Sequence, residues 1–118
     1  MVVHLVMFRP RADLTDAQRH ALATSLTAAL REIPSIRRAR VGQRVTHGGG
    51  YELLMRTDYP YIAVLEFDDL AGLQAYLAHP AHKELGTRFF ETFEDALMYD
   101  YDVDDADRGI ARLLQGSG

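Results

Sequence analysis

The segment VVHLVMF, residues 2–8, decides how this sequence can fold. Alternate side chains of a β-strand point to opposite sides, so the even-numbered residues from Val2 to Phe8 share one face and the odd-numbered ones from Val3 to Met7 share the other. Both faces are mainly apolar and must therefore be covered. In a chain of 118 residues, helices can cover one face, and we expect a second copy of the protein to cover the other.

The composition limits the classes of function. With 118 residues, of which 47% are hydrophobic, the chain suits one compact domain. It has no cysteine, which excludes disulfides, thiolate nucleophiles and zinc sites with sulfur ligands. A net charge of −4 and a single small basic run at residues 37–40 argue against nucleic-acid binding. No signal peptide and no stretch of membrane-spanning length is present, so we predict a cytoplasmic protein with no membrane association.

Two helical regions are predicted from capping residues and apolar spacing. Thr15 and Gln18 have the spacing of a capping box, so the first helix should begin there and end close to Pro34. The second region should begin after Asp68 or Asp69. Pro80 should break it, and a further helical segment should then run to about residue 93.

Three more strands are predicted from alternating patterns, at residues 39–46, 59–67 and 96–103. Three glycines at positions 48–50 lead into residues 51–58, which we predict to be a loop over a pocket.

The resulting order, β-α-β-β-α-β, predicts an α+β fold of ferredoxin-like type, with a four-stranded antiparallel sheet and its helices on one face. We assign residues 1–103 to this domain. Residues 104–118 begin with acids and are predicted to be either an acidic tail or a short docking helix that uses Ile110, Leu113 and Leu114.

The segment Tyr-Leu-Ala-His-Pro-Ala-His, residues 76–82, contains the strongest candidates for chemistry. At 100° per residue, His82 shares a narrow helical stripe with Leu85 and Phe89, so it should point inward. A buried imidazole can act as a general base near neutral pH, and Tyr76 can approach it across the proline break. The alternative is a core histidine that is satisfied by a backbone carbonyl or by Tyr76, which would then be an amphipathic residue at the edge of the core.

The other histidines suggest different roles. His79 should end one helix and cap the next, with Pro80 in the first turn, which is a structural role. His4 lies in an apolar strand, so it is either paired in the core or lines a cavity between sheet and helices. His79 and His82 have a spacing that could bind zinc with His4 or Glu66, but the intervening proline disfavours it and we predict no metal.

Several motifs carry a resemblance to a known family: His4-Leu5-Val6 before Phe8, a helix that ends at Ile33-Pro34, the strand at 59–67, the motif at 76–82, and Tyr99-Asp100-Tyr101. Over roughly its first 102 residues the chain resembles the stress-responsive dimeric α/β-barrel (Dabb) family. The resemblance implies a dimeric α/β barrel, a homodimer formed through the sheet face, and activity without a cofactor.

The resemblance also implies a function. A plant polyketide cyclase of this family closes a linear polyketide by aldol condensation, using the tyrosine and the last histidine of the motif. Transferred here, Tyr76 would orient or polarise the substrate, His82 would be the general base, and His4 would line the same cavity. That cyclase has a tyrosine at the position matching Leu26 and a histidine at the position matching Tyr61, so a different substrate is implied.

The expected function is therefore cyclisation of a β-polyketone or similar carbonyl compound. The alternatives are a non-catalytic, dimeric, stress-responsive protein that binds small molecules, and a purely structural role for the histidines. Besides His4, we expect Tyr61, Leu26, Leu22 and Phe89 to contact a small apolar or polyketide-like ligand. The whole apolar wall is predicted to comprise Leu22, Leu26, Leu65, Phe67, Leu85 and Phe89.

Overall fold

A computed structural model describes residues 1–116 and confirms the ferredoxin-like fold. The elements are β1 (Val2–Pro10), α1 (Asp16–Glu32), β2 (Arg38–Gln43), β3 (Tyr61–Phe67), α2 (Leu70–Ala78), α3 (Pro80–Thr92), β4 (Phe93–Asp102) and α4 (Ala106–Gln115). The four strands form one antiparallel sheet in the order β2-β3-β1-β4.

The central position of β1 explains why both of its faces are apolar. His4 lies opposite Leu65 on β3 and opposite Asp100 on β4. Directly opposed residues of paired strands point to the same face, so these three side chains all face the helices. The opposite face of β1, from Val3 to Met7, is only partly buried within this chain.

The core lies between the sheet and the helices. Alternate residues of β1 and β3 point into it, so buried residues alternate with partly buried ones along both strands. Its buried hydrophobic members are Val6, Phe8, Ala29, Ile33, Ala63, Leu65, Phe67, Leu73, Tyr76 and Leu85.

The predicted helix starts are confirmed. The backbone N–H of Gln18 donates to the Thr15 hydroxyl at 3.1 Å, and the Thr15 N–H donates to the Gln18 side chain at 3.0 Å. Asp69, rather than Asp68, caps α2 by accepting from the Gly72 N–H at 2.9 Å. The helix interruption falls at Pro80, which is the first residue of α3.

The strand boundaries differ from the predicted ones. β2 ends at Gln43 rather than at residue 46, and β3 begins at Tyr61 rather than at residue 59. Pro60 has no N–H to donate to a neighbouring strand. β4 begins at Phe93, three residues earlier than predicted, because the chain passes directly from α3 into the strand and pairs with Pro10 after a register shift.

The segment predicted to be a loop contains one turn of 3₁₀ helix at Gly50–Leu54. Its last residue, Leu54, and the three that follow, 55–57, line a groove with Met7, Ile62 and Leu97 on the face of the sheet opposite the helices.

Helix α4 forms in the C-terminal segment, but its apolar side chains do not pack on this chain. Leu113 and Leu114 are 79% and 87% exposed. Arg112 ties the helix to the end of β4 through an ion pair with Asp102 at 3.3 Å. The last two residues of the predicted tail, 117 and 118, lie outside the described residues. Across residues 1–116, no helix is both long and apolar enough to cross a membrane.

Candidate active site

A cavity of about 150 Å³ lies between the sheet and helices α1 and α3. Its wall is mainly aliphatic and aromatic, with three polar side chains, from His4, Tyr76 and His82. The other lining residues are Val6, Phe8, Leu22, Leu26, Ala63, Leu65, Leu85, Gly86, Phe89, Phe90, Phe93 and Met98.

The break between α2 and α3 brings Tyr76 and His82 together. Their ring centroids are 4.6 Å apart, with the planes inclined at 63°. The break itself is held by His79, whose Nδ1 accepts a hydrogen bond from the Ala81 N–H at 3.0 Å. Pro80 occupies the first position of α3, where a missing N–H leaves no helical hydrogen bond unmade.

His4 is buried in β1 and joins the same group. Its ring centroid is 5.7 Å from that of Tyr76. Its Nδ1 lies 2.6 Å from a carboxylate oxygen of Asp100. His4 was expected either to be paired or to line a cavity, and it does both. When Nδ1 donates its proton to the carboxylate, Nε2 is left as the free ring nitrogen.

Asp100 is a member of this group that the sequence reasoning did not select as a site residue. The signal was present in the alternation of β4, which puts Asp100 on the same face as Met98. That Asp100 pairs with His4 follows only from the β1–β4 register, which places the two residues directly opposite each other.

Burial sets the protonation of the two candidate catalytic groups. It raises the pKa of the Tyr76 phenol to about 12, so the hydroxyl keeps its proton near neutral pH. The pKa of His82 is lowered from 6.5, chiefly by desolvation and also by the nearby His4, while a hydrogen bond with the Leu77 backbone opposes the lowering. His82 is therefore a neutral imidazole at pH 7, able to accept a proton.

Of the residues predicted to contact a ligand, Leu22, Leu26 and Phe89 lie on the cavity wall with His4. Tyr61 lies elsewhere. It lies directly opposite Phe8 in the strand register, and its ring stacks on that of Phe8 against the core, with centroids 5.6 Å apart. The residue also contributes to the lining of the groove that contains Met7 and Ile62.

An aromatic cluster separates Tyr61 from the cavity. The Phe8 ring is 4.5 Å from that of Phe93 and 5.6 Å from that of Phe89, so these three rings close that end of the cavity. Phe67, also predicted to be part of the wall, is instead fully buried in the core.

The chemistry that this arrangement can perform is proton transfer. It combines a neutral imidazole, a protonated phenol and a carboxylate-paired imidazole around one apolar space. No group of three or more histidine, aspartate or glutamate side chains within residues 1–116 is arranged to hold a metal ion.

Comparison with known proteins adds a family match. A family model described as the stress responsive A/B barrel domain matches residues 2–103. The chain is also 26% identical over 100 residues to olivetolic acid cyclase of Cannabis sativa, covering 85% of this chain and 94% of the cyclase.

Solved structures share the fold. A dimeric ferredoxin-like protein of unknown function from Thermobifida fusca superposes with a TM-score of 0.67 at 20% identity, covering 86% of this chain and 90% of that one. A hydroxynitrile lyase from Passiflora edulis superposes with a TM-score of 0.72 at 18% identity, covering 89% of this chain and 94% of that one.

Proposed function

The chain belongs to the stress responsive A/B barrel domain family, and we propose that it is a cofactor-independent, polyketide cyclase-like enzyme. Its reaction would be the intramolecular aldol-type cyclisation of a β-polyketone or similar carbonyl compound. The observation that carries the proposal is the contact between Tyr76 and His82, at 4.6 Å between ring centroids, on the wall of an apolar cavity. The similarity to olivetolic acid cyclase supports the same reading.

In the proposed reaction, His82 removes a proton from the carbon between two carbonyl groups, and the C–H electron pair passes into an enolate. Tyr76 donates a hydrogen bond to the enolate oxygen. The enolate carbon then forms a C–C bond with a second carbonyl carbon of the same molecule. The alkoxide made at that carbon takes the proton back from the His82 imidazolium, so no cofactor and no net proton are consumed.

His4 and Asp100 would act as positioning residues. The 2.6 Å contact to Asp100 fixes the His4 ring, whose centroid is 5.7 Å from that of Tyr76. A fixed ring at that distance restricts where the Tyr76 side chain can lie. The apolar wall would fold the flexible polyketone so that the reacting carbons meet, which reduces the entropic part of the barrier.

The test is turnover of a linear β-polyketone thioester, followed by liquid chromatography and mass spectrometry of the cyclised product. His82→Gln should reduce the rate by about 10² to 10⁴, the usual contribution of a general base. Tyr76→Phe should reduce it by about 10² to 10³, as for loss of one oxyanion donor. His20→Ala, on the exposed face of α1, is the matched control and should cyclise at the wild-type rate. Full activity in a folded His82→Gln protein would contradict the proposal.

The second candidate function is small-molecule binding without turnover. It is favoured by the small number of polar side chains on the wall, since Leu26 is apolar and Tyr61 does not line the cavity. In that case apolar ligands should bind saturably and be recovered unchanged after long incubation, with wild-type and His82→Gln proteins behaving alike.

We also infer that the protein is a homodimer formed through the sheet face opposite the helices. Tyr99 and Tyr101 on that face are about half exposed in the single chain, beside the partly exposed Val3 and Leu5. Apolar and aromatic side chains that adjoin one another in this way are typical of an interface. The description of the Thermobifida fusca structure as dimeric supports the same arrangement.

A further inference from the structure

The charges around the cavity point to the class of compound that can enter it. The wall contains no lysine, arginine, aspartate or glutamate among the described residues. We propose that this cavity admits electrically neutral carbonyl compounds and rejects compounds that are negatively charged on the part that enters. The inference rests on the proposed function only in that it concerns the same site.

The first step of the argument is the cost of burying an ion. An ionised group that leaves water for an apolar environment loses its hydration free energy. Only a nearby opposite charge can offset that loss. The two nearest side chains of α3 that carry positive charge do not supply it. Arg88 is partly exposed and is paired with Glu84 and Glu91, at 3.1 and 3.0 Å, and Lys83 is exposed. Neither side chain lines the cavity.

The second step concerns the histidines, which are the remaining groups able to carry positive charge on the wall. Desolvation lowers the pKa of His82, so its imidazole is uncharged at neutral pH. His4 is paired with Asp100, whose carboxylate adds negative charge behind it. An anion entering the cavity would therefore meet an uncharged His82, and the Asp100 carboxylate offsets any positive charge on His4.

The third step is the hydrogen bonding that the wall offers. The Tyr76 hydroxyl keeps its proton and can donate to an acceptor such as a carbonyl oxygen. Near the other end, the rings of Phe8, Phe89 and Phe93 present aromatic surface to the body of the ligand. A neutral molecule with a carbonyl at one end and an apolar or aromatic body matches both features.

The test uses two probes of nearly equal shape, benzamide, which is neutral, and benzoate, which is ionised at neutral pH. Acetophenone serves as a second neutral probe. Binding is measured by titration while the ring resonances of His4 and His82 are followed by NMR. We expect the two neutral probes to bind at least about tenfold more tightly than benzoate and to shift both histidines.

Two variants of α3 locate the binding. A Cβ added at Gly86, which lines the cavity, meets no atom within 4 Å, so Gly86→Leu should fill the space without disturbing the fold. It should abolish binding of the neutral probes. Thr87→Leu places the same side chain at the neighbouring exposed position, outside the wall, and should bind like the wild type.

Each other outcome has a distinct meaning. Benzoate binding as tightly as benzamide would overturn the inference, as would probes that fail to bind or that bind Gly86→Leu unchanged. If any of these results were found but cyclisation still depended on His82, the proposed function would remain supported and only the inference about charge would be wrong. Conversely, selective binding of neutral probes without turnover of any β-polyketone would uphold this inference and contradict the cyclase.

Discussion

At the scale of single residues, the environment of His82 determines how the proposed reaction should respond to pH. Desolvation and the neighbouring His4 both disfavour its protonated form, whereas Tyr76 retains its proton because burial disfavours the phenolate. The base and the donor therefore titrate on opposite sides of neutrality. This separation is the arrangement that acid/base catalysis at pH 7 requires.

The pH profile of kcat/KM should rise on the acid side with a midpoint below 6.5, the ordinary pKa of histidine. Activity needs neutral His82, so it is present above the lowered pKa and is lost as the pH falls through it. Tyr76, with its pKa raised to about 12, should cause no loss in the moderately alkaline range. Steady-state rates measured across this range check both limbs.

Tyr76→Phe provides the control for that profile, since its residual activity should show the same acid limb. An acid limb centred above 6.5 would mean that His82 is stabilised in its charged form, contrary to its desolvated position.

Sequence reasoning selected Tyr76, His82 and His4, and the structure brings these three side chains to one cavity. The pair formed by His4 and Asp100 was not found because its members are 96 positions apart and meet only through strand register. Tyr61 was expected to contact the ligand because its position matches a histidine of the plant cyclase. In the structure its ring stacks on Phe8 instead and does not line the cavity.

At the scale of elements, the junction of α2 and α3 holds the candidate pair in place. His79 closes α2 by donating its N–H to the Tyr76 carbonyl at 3.2 Å, and its side chain caps α3. One residue thus controls the ends of both helices.

Replacing His79 by alanine should lower the free energy of unfolding by about 1 kcal/mol, the usual effect of losing a helix N-cap. His79→Asn should restore most of that loss, because its side-chain oxygen can accept the same Ala81 N–H. Urea denaturation of the two variants and the wild type measures the difference. Equal destabilisation by alanine and asparagine would show that the cap hydrogen bond contributes nothing.

Helix starts were predictable because they are set by local capping, as at Thr15 and Asp69. The start of β4 was not predictable, because residues 93–95 join the sheet only by pairing with Arg9 and Pro10, which lie near the other end of the sequence. The acids at positions 94 and 95 also interrupt the apolar alternation that marks a strand. Local signals therefore located the elements, and their exact limits depended on distant partners.

At the scale of the whole molecule, the uncovered face of the sheet is where assembly should occur. Tyr99 is 51% exposed on that face, so it contributes little to the core of a single chain. Tyr99→Asp should convert the expected dimer to a monomer, because a desolvated carboxylate at an interface is unfavourable. Sedimentation equilibrium at micromolar concentration measures the change.

His20→Asp on the exposed surface of α1 is the control, and it should leave the mass in solution unaltered. A wild-type protein that sediments as a monomer would contradict the proposed assembly. The apolar odd-numbered residues of β1 predicted which face needs covering. The half-exposed side chains of Tyr99 and Tyr101 also indicate which part of β4 should form the contact.

The central position of β1 also bears on how the chain is made. Of the four strands, β1 leaves the ribosome first, and it pairs with residues 61–67 and 93–102, which are made much later. At about 5–20 residues per second, the wait for β4 lasts roughly 5–20 s. During that time VVHLVMF is an unpaired, apolar segment of high β-propensity. We therefore expect nascent chains of this protein to need chaperones, or early burial of β1 against α1, until the last strand arrives.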